Sequence, residues 1–229
     1  MKYLEDGWAI PDYERKIPSV LERIKHQEND QSKTLINYQE RVRTRATLQV
    51  SETDIFIDVG ANIGIWSAPL SLIFNKVLAF EVNPYLNDCF ESNIKNFGCS
   101  EKVIHHDFGL ANRSKQVSLP DRLDSCWGTF ITDDINAAFK VKSFDEIVSE
   151  LVLPNEKVSM IKLDAEGSEP YILCGMIETL LKYKPIVIIE DKFFPERYPW
   201  VHSKTGTQIL NAFGMKQLER HKHDFIFGW

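Results

Sequence analysis

The sequence predicts an α/β fold in which helices cover both faces of a mostly parallel sheet. Short apolar runs alternate with amphipathic stretches from residue 55 onward, as strand and helix alternate in such folds. A glycine-containing turn follows the first apolar run, at the point where a parallel strand passes into a helix. Two apolar segments separated by a polar turn end the chain, and they indicate an antiparallel edge. We therefore expect seven strands.

Each element is predicted from its own pattern. Short apolar runs predict five strands, at residues 55–59, 77–81, 103–106, 158–163 and 186–190. Helical spacing predicts the helices between them, at residues 62–74, 83–97 and 168–183. Gly98 and Pro185 supply stop signals for the last two of these helices. The final strand pair flanks residues 221–224. Between residues 106 and 143 the alternation is lost, and this insertion is either a functional loop or partly disordered.

Residues 1–50 show a different pattern from the rest of the chain. Two stripes of apolar side chains occur there at helical spacing: Ile17, Val20, Leu21 and Ile24, then Leu35, Tyr38 and Val42. We predict an N-terminal helical extension over residues 1–50 that packs on the core and serves as a lid on the active site. Residues 51–229 then form one domain, a size that buries a substantial core.

The composition of the chain indicates which binding partners and which cellular compartment to expect. The chain has 229 residues, 43% of them hydrophobic and 26% charged, which is typical of a globular protein. Its net charge of -6 disfavours a nucleic-acid partner. No apolar run approaches the ~20 residues that span a bilayer, and the N-terminus has no apolar signal segment. The four cysteines lack C-x-x-C spacing, so we expect a reduced, cytoplasmic protein with no membrane contact.

The turn after the first predicted strand carries the pattern of a cofactor site. It reads D-x-G-x-N-x-G, with Asp58, Gly60, Asn62 and Gly64. A dinucleotide-binding turn would have a glycine in place of the asparagine. The acid at position 58 would repel a pyrophosphate, whereas it suits a cationic ligand that carries an amino group and a sulfonium. We therefore predict that these four residues bind a cationic ligand of this kind.

Polar residues after the next two strands complete this predicted site. Glu81 ends the second strand, where a carboxylate accepts hydrogen bonds from a ribose diol. Asn83 follows it and would line the adenosine side, and Asp107 follows the third strand, where it could receive the adenine amino group. The alternative for Asp58 and Glu81 is that they cap helices or face solvent.

Two blocks of sequence resemble the FkbM-type methyltransferases. One spans residues 56–91 and contains D-V-G-A-N-I-G and E-V-N-P. The other spans residues 143–190 and reads S-F-D-E-I-V, I-K-L-D-A-E-G-S-E and K-P-I-V-I-I-E. The second block is the more specific, because many methyltransferases share the first. The resemblance covers roughly residues 50–191, and the first fifty residues and the tail fall outside it.

This resemblance implies a Rossmann-like class I methyltransferase fold, S-adenosylmethionine as cofactor, and an acceptor hydroxyl on a sugar, glycan or small natural product. It also implies cofactor contacts for Asp58, Gly60, Asn62, Gly64, Glu81 and Asp107. Ala165 stands where the family more often has valine. The stretch at residues 126–129 departs from the family, so no particular substrate carries over.

Carboxylates at the ends of the fourth and fifth strands are candidates for the chemistry. A hydroxyl acceptor must lose its proton, either to a base or by means of a metal that lowers its pKa. Asp164 and Glu190 are the predicted catalytic residues. Asp164 and Asp191 are candidate ligands for one Mg²⁺, since hard divalent cations prefer oxygen. The alternative for Asp164 is a structural pair with Lys162 or a backbone amide.

Two other functions are open at this stage. A nucleic-acid or amine N-methyltransferase acting on bases would carry an Asn/Asp-Pro-Pro-Tyr/Phe element after the fourth strand, where this chain has Leu-Asp-Ala-Glu. A non-catalytic scaffold that binds S-adenosylmethionine would keep the fold without the chemistry. The acids retained at both sites favour the enzyme.

Overall fold

The structure is a computed structural model that describes residues 1–28, 34–120, 125, 130–192, 194, 196–198, 201–202 and 204–229. The chain begins with an antiparallel pair, β1 (Lys2–Tyr3) and β2 (Ala9–Ile10). Helix α1 (Lys16–Glu28), a 3-10 turn (Leu35–Asn37) and α2 (Glu40–Thr47) follow. Both predicted N-terminal stretches are therefore helical, although the second begins as a 3-10 turn.

The rest of the chain alternates strands and helices as predicted. The strands are β3 (Ile55–Val59), β4 (Lys76–Phe80), β5 (Val103–His106), β6 (Gly109–Leu110), β7 (Lys115–Ser118), β8 (Thr132–Asp133), β9 (Phe139–Lys142), β10 (Val158–Leu163), β11 (Ile186–Glu190), β12 (Lys216–His221) and β13 (Asp224–Gly228). The helices are α3 (Ser67–Leu70), α4 (Asn87–Asn96), α5 (Phe144–Leu151), α6 (Glu169–Cys174), α7 (Ile177–Tyr183) and α8 (Thr205–Ala212).

Seven strands form the central sheet, in the order β12-β13-β11-β10-β3-β4-β5. Strands β11, β10, β3, β4 and β5 are parallel, and β13 is antiparallel to both β11 and β12. The predicted fold class is confirmed, with the antiparallel strand one place in from the edge. Strands β3 and β10 are buried along their whole length, which explains their nearly continuous apolar sequence.

Alternation along each strand separates two hydrophobic cores. Phe56, Met160 and Ile188 point to the first face, which the N-terminal segment, α3 and α4 cover. Ile57 and Ile161 point to the second face, which α5, α6, α7 and α8 cover. Because the period is two, Asp58, Lys162 and Glu190 continue the first face at the carboxyl ends of their strands. Three ionisable side chains therefore meet beneath the N-terminal segment.

Two predicted helices are shorter than their patterns suggest. Only residues 67–70 of the predicted helix 62–74 are α-helical, because the preceding residues form the turn with Asn62 at φ 55° and Gly64 at φ 89°. The predicted helix 168–183 is two helices that meet at Gly175. A Cβ on that glycine would lie 2.0 Å from the Ala111 carbonyl oxygen, so the break allows a close backbone approach.

The insertion at residues 106–143 forms a second sheet in the order β6-β9-β7-β8. Within this insertion, residues 121–124 and 126–129 lie outside the described part of the chain. Its small apolar cluster includes Ala111, Val117 and Val141. The part that is described is thus structured, and it stands beside the carboxyl ends of the central strands. No helix in the described residues is long and apolar enough to cross a membrane.

Candidate active site

A cleft opens at the carboxyl ends of the central strands. Residues from the N-terminal segment, the turn after β3, the end of β4, the second sheet and the ends of β10 and β11 all contribute to its wall. The lining includes Tyr38, Gln39, Gly60, Asn62, Trp66, Glu81, Val82, Leu110, Ile131, Lys162, Asp164, Glu166, Ser168, Glu190 and Lys192. Of the predicted site residues, Gly60, Asn62, Glu81, Asp164 and Glu190 therefore come together here.

The turn after β3 places backbone atoms in the cleft. Gly60 has φ 74°, and a Cβ there would lie 2.0 Å from the carbonyl oxygen of Asp164. Glycine is therefore required where β3 and β10 approach each other. Gly64, by contrast, packs against Phe90 and Ile94 and does not line the cleft. The cofactor contact predicted for Gly64 stays a prediction, and in the structure this glycine lets the turn pack on α4.

Glu81 is held by the backbone of two neighbouring segments. Asn62 N donates to its Oε2 at 2.8 Å, and Asn83 N donates to its Oε1 at 2.9 Å. Burial raises the pKa of Glu81, and these two amides oppose the rise. Each carboxylate oxygen keeps further acceptor capacity, which is available to a ligand in the cleft. The Asn83 side chain instead accepts from Tyr85 N and caps a 3-10 turn, so Asn83 lies outside the lining.

Asp58 lies below the cleft, fully buried, and does not line it. Ser67 Oγ donates to its Oδ2 at 2.6 Å, and Lys162 Nζ lies 4.0 Å from its Oδ1. Burial raises the pKa of Asp58, while Lys162 acts against this rise. The Asp58 carboxylate lies beside Lys162, which lines the cleft, but Asp58 itself is not part of the lining. Its position therefore gives no support to the predicted direct contact with a cofactor.

Asp164 and Glu190 stand between two lysines. Lys162 Nζ lies 3.1 Å from Asp164 Oδ2, and Lys192 Nζ lies 2.6 Å from Glu190 Oε1. Burial and the adjacent Asp164 carboxylate raise the pKa of Glu190 to about 9. Burial acts in the same direction on Asp164, but Lys162 and Lys192 outweigh it and hold the pKa of Asp164 below its usual value. At neutral pH Glu190 therefore carries a proton, and Asp164 is an ionised carboxylate hydrogen-bonded to it.

The predicted magnesium site does not fit this arrangement. The Asp191 carboxylate turns away to accept from Thr207 N at 3.0 Å, near the start of α8, and it does not line the cleft. Asp164 is already neutralised by Lys162. Throughout the described residues, no group of three or more His, Cys, Asp or Glu side chains could hold a metal ion. Asp164 and Asp191 therefore do not act together as ligands of one metal ion in this arrangement.

Asp107 is the remaining predicted residue that the structure leaves outside the site. It follows β5 as predicted, but its side chain is exposed and absent from the cleft wall. Val82 and Leu110 form the wall in that region. The pattern placed Asp107 correctly after its strand but could not show that the chain would turn toward β6 directly afterwards.

The sequence patterns did not single out several cleft residues, among them Tyr38, Gln39 and Trp66. Tyr38 and Gln39 come from the N-terminal segment, and Trp66 Nε1 donates to Gln39 Oε1 at 2.7 Å. Burial, Asp164 and Glu190 raise the pKa of Tyr38 to about 12, so its phenol stays protonated. Tyr38 was assigned to an apolar helical stripe, and no local signal distinguishes such a tyrosine from one that faces a site.

The geometry provides one carboxylate suited to accept a proton and another suited to bind a polar ligand. Asp164 is ionised, reaches the cleft and is fixed by Lys162, so its free acceptor capacity faces a ligand there. Glu81 lies in the same cleft, after β4, which is separated from β10 by β3, and two amides set its orientation. The cleft can therefore bind a ligand with hydroxyl or amino donors beside a proton acceptor.

Comparison with protein families gives a match over residues 58–226, well over half of the chain, to the family described as the Methyltransferase FkbM domain. No curated protein matches the sequence significantly. A methyltransferase FkbM from Methylobacillus flagellatus KT has a similar structure, with 16% identity and a TM-score of 0.49. The similarity covers 77% of this chain and 44% of that protein, so this chain spans less than half of its length.

Two other solved structures are similar over most of their own length. A precorrin-8w decarboxylase from Methanobacterium thermoautotrophicum is 15% identical, with a TM-score of 0.50 and coverage of 83% of this chain and 90% of that one. A precorrin-6y C5,15-methyltransferase from Geobacter metallireducens GS-15 is 14% identical, with a TM-score of 0.48 and coverage of 83% and 88%. The fold is the Rossmann-like class I methyltransferase fold predicted from the sequence, and at these identities the likeness extends to the fold alone.

Proposed function

The chain belongs to the FkbM methyltransferase domain family, and we propose that it transfers the methyl group of S-adenosylmethionine to a hydroxyl on a sugar, a glycan or a small natural product. The observation that carries the proposal is a single cleft lined by both the amide-held Glu81 and the ionised Asp164. One carboxylate suits the binding of a ribose diol, and the other suits removal of a hydroxyl proton.

The donor set of the cleft fits S-adenosylmethionine better than a dinucleotide. Carboxylates in its wall outnumber ammonium groups even without the protonated Glu190, with Glu81, Asp164 and Glu166 against Lys162 and Lys192. A pyrophosphate would meet repulsion there, whereas a sulfonium and an amino group are attracted. A side chain would not fit at position 60, so the backbone of this turn forms part of the cleft surface. Glu81 would hold the ribose, and the backbone around Gly60 would face the amino-acid end.

When bound, S-adenosylmethionine supplies an electrophilic methyl carbon, which an acceptor oxygen attacks in line as the carbon–sulfur bond breaks and its electron pair returns to sulfur. Asp164 would accept the proton that the acceptor hydroxyl loses. Lys162 fixes the Asp164 carboxylate in one position, at 3.1 Å. Glu190, protonated and hydrogen-bonded to Asp164, limits the directions from which a hydroxyl can reach that base. The chain thus contributes orientation and one proton acceptor.

Calorimetric titration of the protein with S-adenosylmethionine and with NAD tests the cofactor assignment. We expect micromolar binding of S-adenosylmethionine alone, unchanged by magnesium because the Asp191 carboxylate turns away from Asp164 to accept from Thr207 N. Glu81→Ala should weaken this binding by roughly 1–3 kcal/mol, the scale of leaving polar groups unpaired. Glu101→Ala is the matched control, since Glu101 is exposed and lies outside the cleft.

Two results would contradict the cofactor assignment. Binding of NAD in place of S-adenosylmethionine would reject the cofactor itself. Equal affinities of the wild type and Glu81→Ala would remove Glu81 from the binding site. Glu81→Gln keeps one acceptor oxygen for the two backbone amides, so it separates the loss of a ligand contact from a disturbance of the turn.

A further inference from the structure

A second cavity lies beside the cleft and encloses about 280 Å³, enough for one six-membered ring with its substituents. Its wall consists of residues from the second sheet, the start of α6 and the segment that follows β11. These residues are Ala111, Lys115, Ile131, Thr132, Asp133, Ser168, Tyr171, Arg197 and Tyr198. None of them was assigned a role from the sequence.

The second cavity shares part of its wall with the cleft. Ile131 and Ser168 line both spaces. Tyr198 donates its hydroxyl to the carbonyl oxygen of Ile131 at 3.2 Å, and Arg197 Nη1 lies 3.2 Å from Glu166 Oε2, a residue of the cleft wall. A molecule in the second cavity would therefore border the space in which Asp164 lies. Methyl transfer requires such an arrangement, since the acceptor oxygen must come into contact with the methyl carbon of the donor.

The wall combines aromatic rings with groups that bind hydroxyls. The rings of Tyr171 and Tyr198 have centroids 5.9 Å apart, and both side chains are half-buried. The Tyr171 hydroxyl makes no hydrogen bond with any residue that the structure describes. Lys115 Nζ and Asp133 Oδ1 lie 2.5 Å apart and add a charged donor and a charged acceptor. Aromatic faces contact the C–H face of a sugar ring, and charged groups bind its hydroxyls strongly.

The charges of this wall are balanced. Lys115 is paired with Asp133, and Arg197 is paired with Glu166. Arg197 is also enclosed by aromatic rings, with its guanidinium carbon 4.2 Å from the Phe194 ring centre. A phosphate would reach either cation by exchange with its paired carboxylate, which repels an incoming anion. A neutral polyhydroxylated ring needs no such exchange.

We infer that the second cavity is the acceptor subsite and that it takes a neutral hydroxylated ring of pyranose size, stacked on Tyr171 and hydrogen-bonded by the Lys115–Asp133 pair. The inference rests on the proposed function, because the hydroxyl held there would be the one presented to Asp164. It adds the place of the acceptor and the residues that select it.

Saturation-transfer NMR on the full chain tests this subsite without the cofactor. The probes are methyl α-D-glucopyranoside, methyl α-L-rhamnopyranoside and adenosine monophosphate. We expect saturation transfer to a glycoside, with an affinity that falls roughly five- to tenfold in Tyr171→Ala through loss of the stacked ring. Tyr171→Phe retains the ring and should lose less. Tyr3→Ala is the control, because Tyr3 is exposed on the N-terminal strand pair and lines neither cavity.

Several outcomes would overturn the inference. Glycoside binding that is equal in the wild type, Tyr171→Ala and Tyr171→Phe would place the ring elsewhere. Binding of adenosine monophosphate that depends on Tyr171, with no glycoside binding, would assign the cavity to a nucleotide. A parallel titration with S-adenosylhomocysteine separates the two proposals. Normal binding of that ligand without glycoside binding rejects the subsite alone, and its absence rejects the proposed function together with the acceptor role.

Discussion

Lys162 is buried between two carboxylates, 3.1 Å from Asp164 and 4.0 Å from Asp58. Burial disfavours its charged form, yet the two carboxylates raise the pKa of Lys162 above its ordinary value. Its ammonium also lies 5.4 Å from the ring centre of Trp66, so an aromatic face adds to the stabilisation. A permanently charged lysine at this position accounts for an Asp164 that stays ionised within a largely buried cluster.

The substitution Asp164→Asn keeps the size of the side chain and removes its ability to accept a proton. We expect binding of S-adenosylhomocysteine to be unchanged and kcat to fall by about 10²-fold or more, the usual contribution of a general base. The measurement is release of S-adenosylhomocysteine from S-adenosylmethionine with a methyl glycoside as acceptor. Retained turnover would assign Asp164 to its structural pair with Lys162.

Asp191→Asn is the matched variant for the same assay. Its carboxylate accepts from Thr207 N and lies outside the cleft, so turnover should persist with a small loss of stability at the start of α8. If Asp191→Asn lost turnover and magnesium restored it, a metal mechanism through Asp164 and Asp191 would replace the base mechanism.

At the scale of elements, the connection between β10 and α6 shapes the cleft. Glu169, at the start of α6, accepts with Oε1 from Ala165 N at 2.7 Å and from Gly167 N at 3.2 Å. Its side chain therefore fixes the loop that begins at Asp164. Burial raises the pKa of Glu169 to about 8, with the adjacent Asp164 carboxylate adding to the rise and the two amides opposing it. The folded protein thus binds a proton here that the unfolded chain releases near its ordinary carboxyl pKa.

This difference predicts a pH dependence of stability. The contribution of protonated Glu169 is fully present below the unfolded pKa of about 4.3 and is lost as pH rises toward 8. Glu169→Gln imitates the protonated form. The free energy of unfolding of the wild type should therefore fall relative to this variant between pH 5 and pH 8, by up to about 1.4 kcal/mol per pH unit.

Urea denaturation of both proteins across that pH range measures the difference. Glu178→Gln on α7 is the control, because its side chain is exposed, and it should follow the wild type. Parallel pH curves for the wild type and Glu169→Gln would mean that Glu169 is ionised in the folded protein.

At the scale of the whole molecule, the N-terminal segment shares the core of the sheet. Trp8 is 1% exposed, and its ring centre lies 4.6 Å from that of Phe97. Asn93 on α4 accepts from Ala9 N at 2.6 Å and donates to the Ala9 carbonyl oxygen at 3.0 Å. Removal of this segment would expose the first face of the sheet. The boundary at residue 50 therefore marks a change of sequence pattern rather than a gap in the core.

Trp8→Ala tests whether the molecule unfolds as one unit. Loss of a fully buried indole should lower the free energy of unfolding by about 3–5 kcal/mol in a single cooperative transition. Leu48→Ala removes an exposed apolar side chain of the same segment and should have little effect. Denaturation followed by both circular dichroism and tryptophan fluorescence provides the measurement. A local early transition in Trp8→Ala, with the main transition unchanged, would mark residues 1–50 as an independent extension.

Local sequence patterns are enough to predict the fold class, the order of the seven central strands along the chain and the position of the cleft. Short apolar runs and period-two alternation are local properties, and they place Asp58, Glu81, Asp164 and Glu190 at strand ends. Since the carboxyl ends of parallel strands meet at one edge, the grouping of acids near a glycine turn follows without coordinates. The family and its expected cofactor were predictable from the same short motifs.

Which of these side chains reach the cleft depends on how the whole chain packs. Asp58 accepts from Ser67 Oγ and Asn83 from Tyr85 N outside the cleft wall, the Asp107 side chain is exposed to solvent, and Asp191 accepts from α8. Tyr38 enters the wall from a segment far away in sequence. The physical reason is that burial and pairing depend on contacts across the whole chain, and a local pattern contains no record of what packs over it.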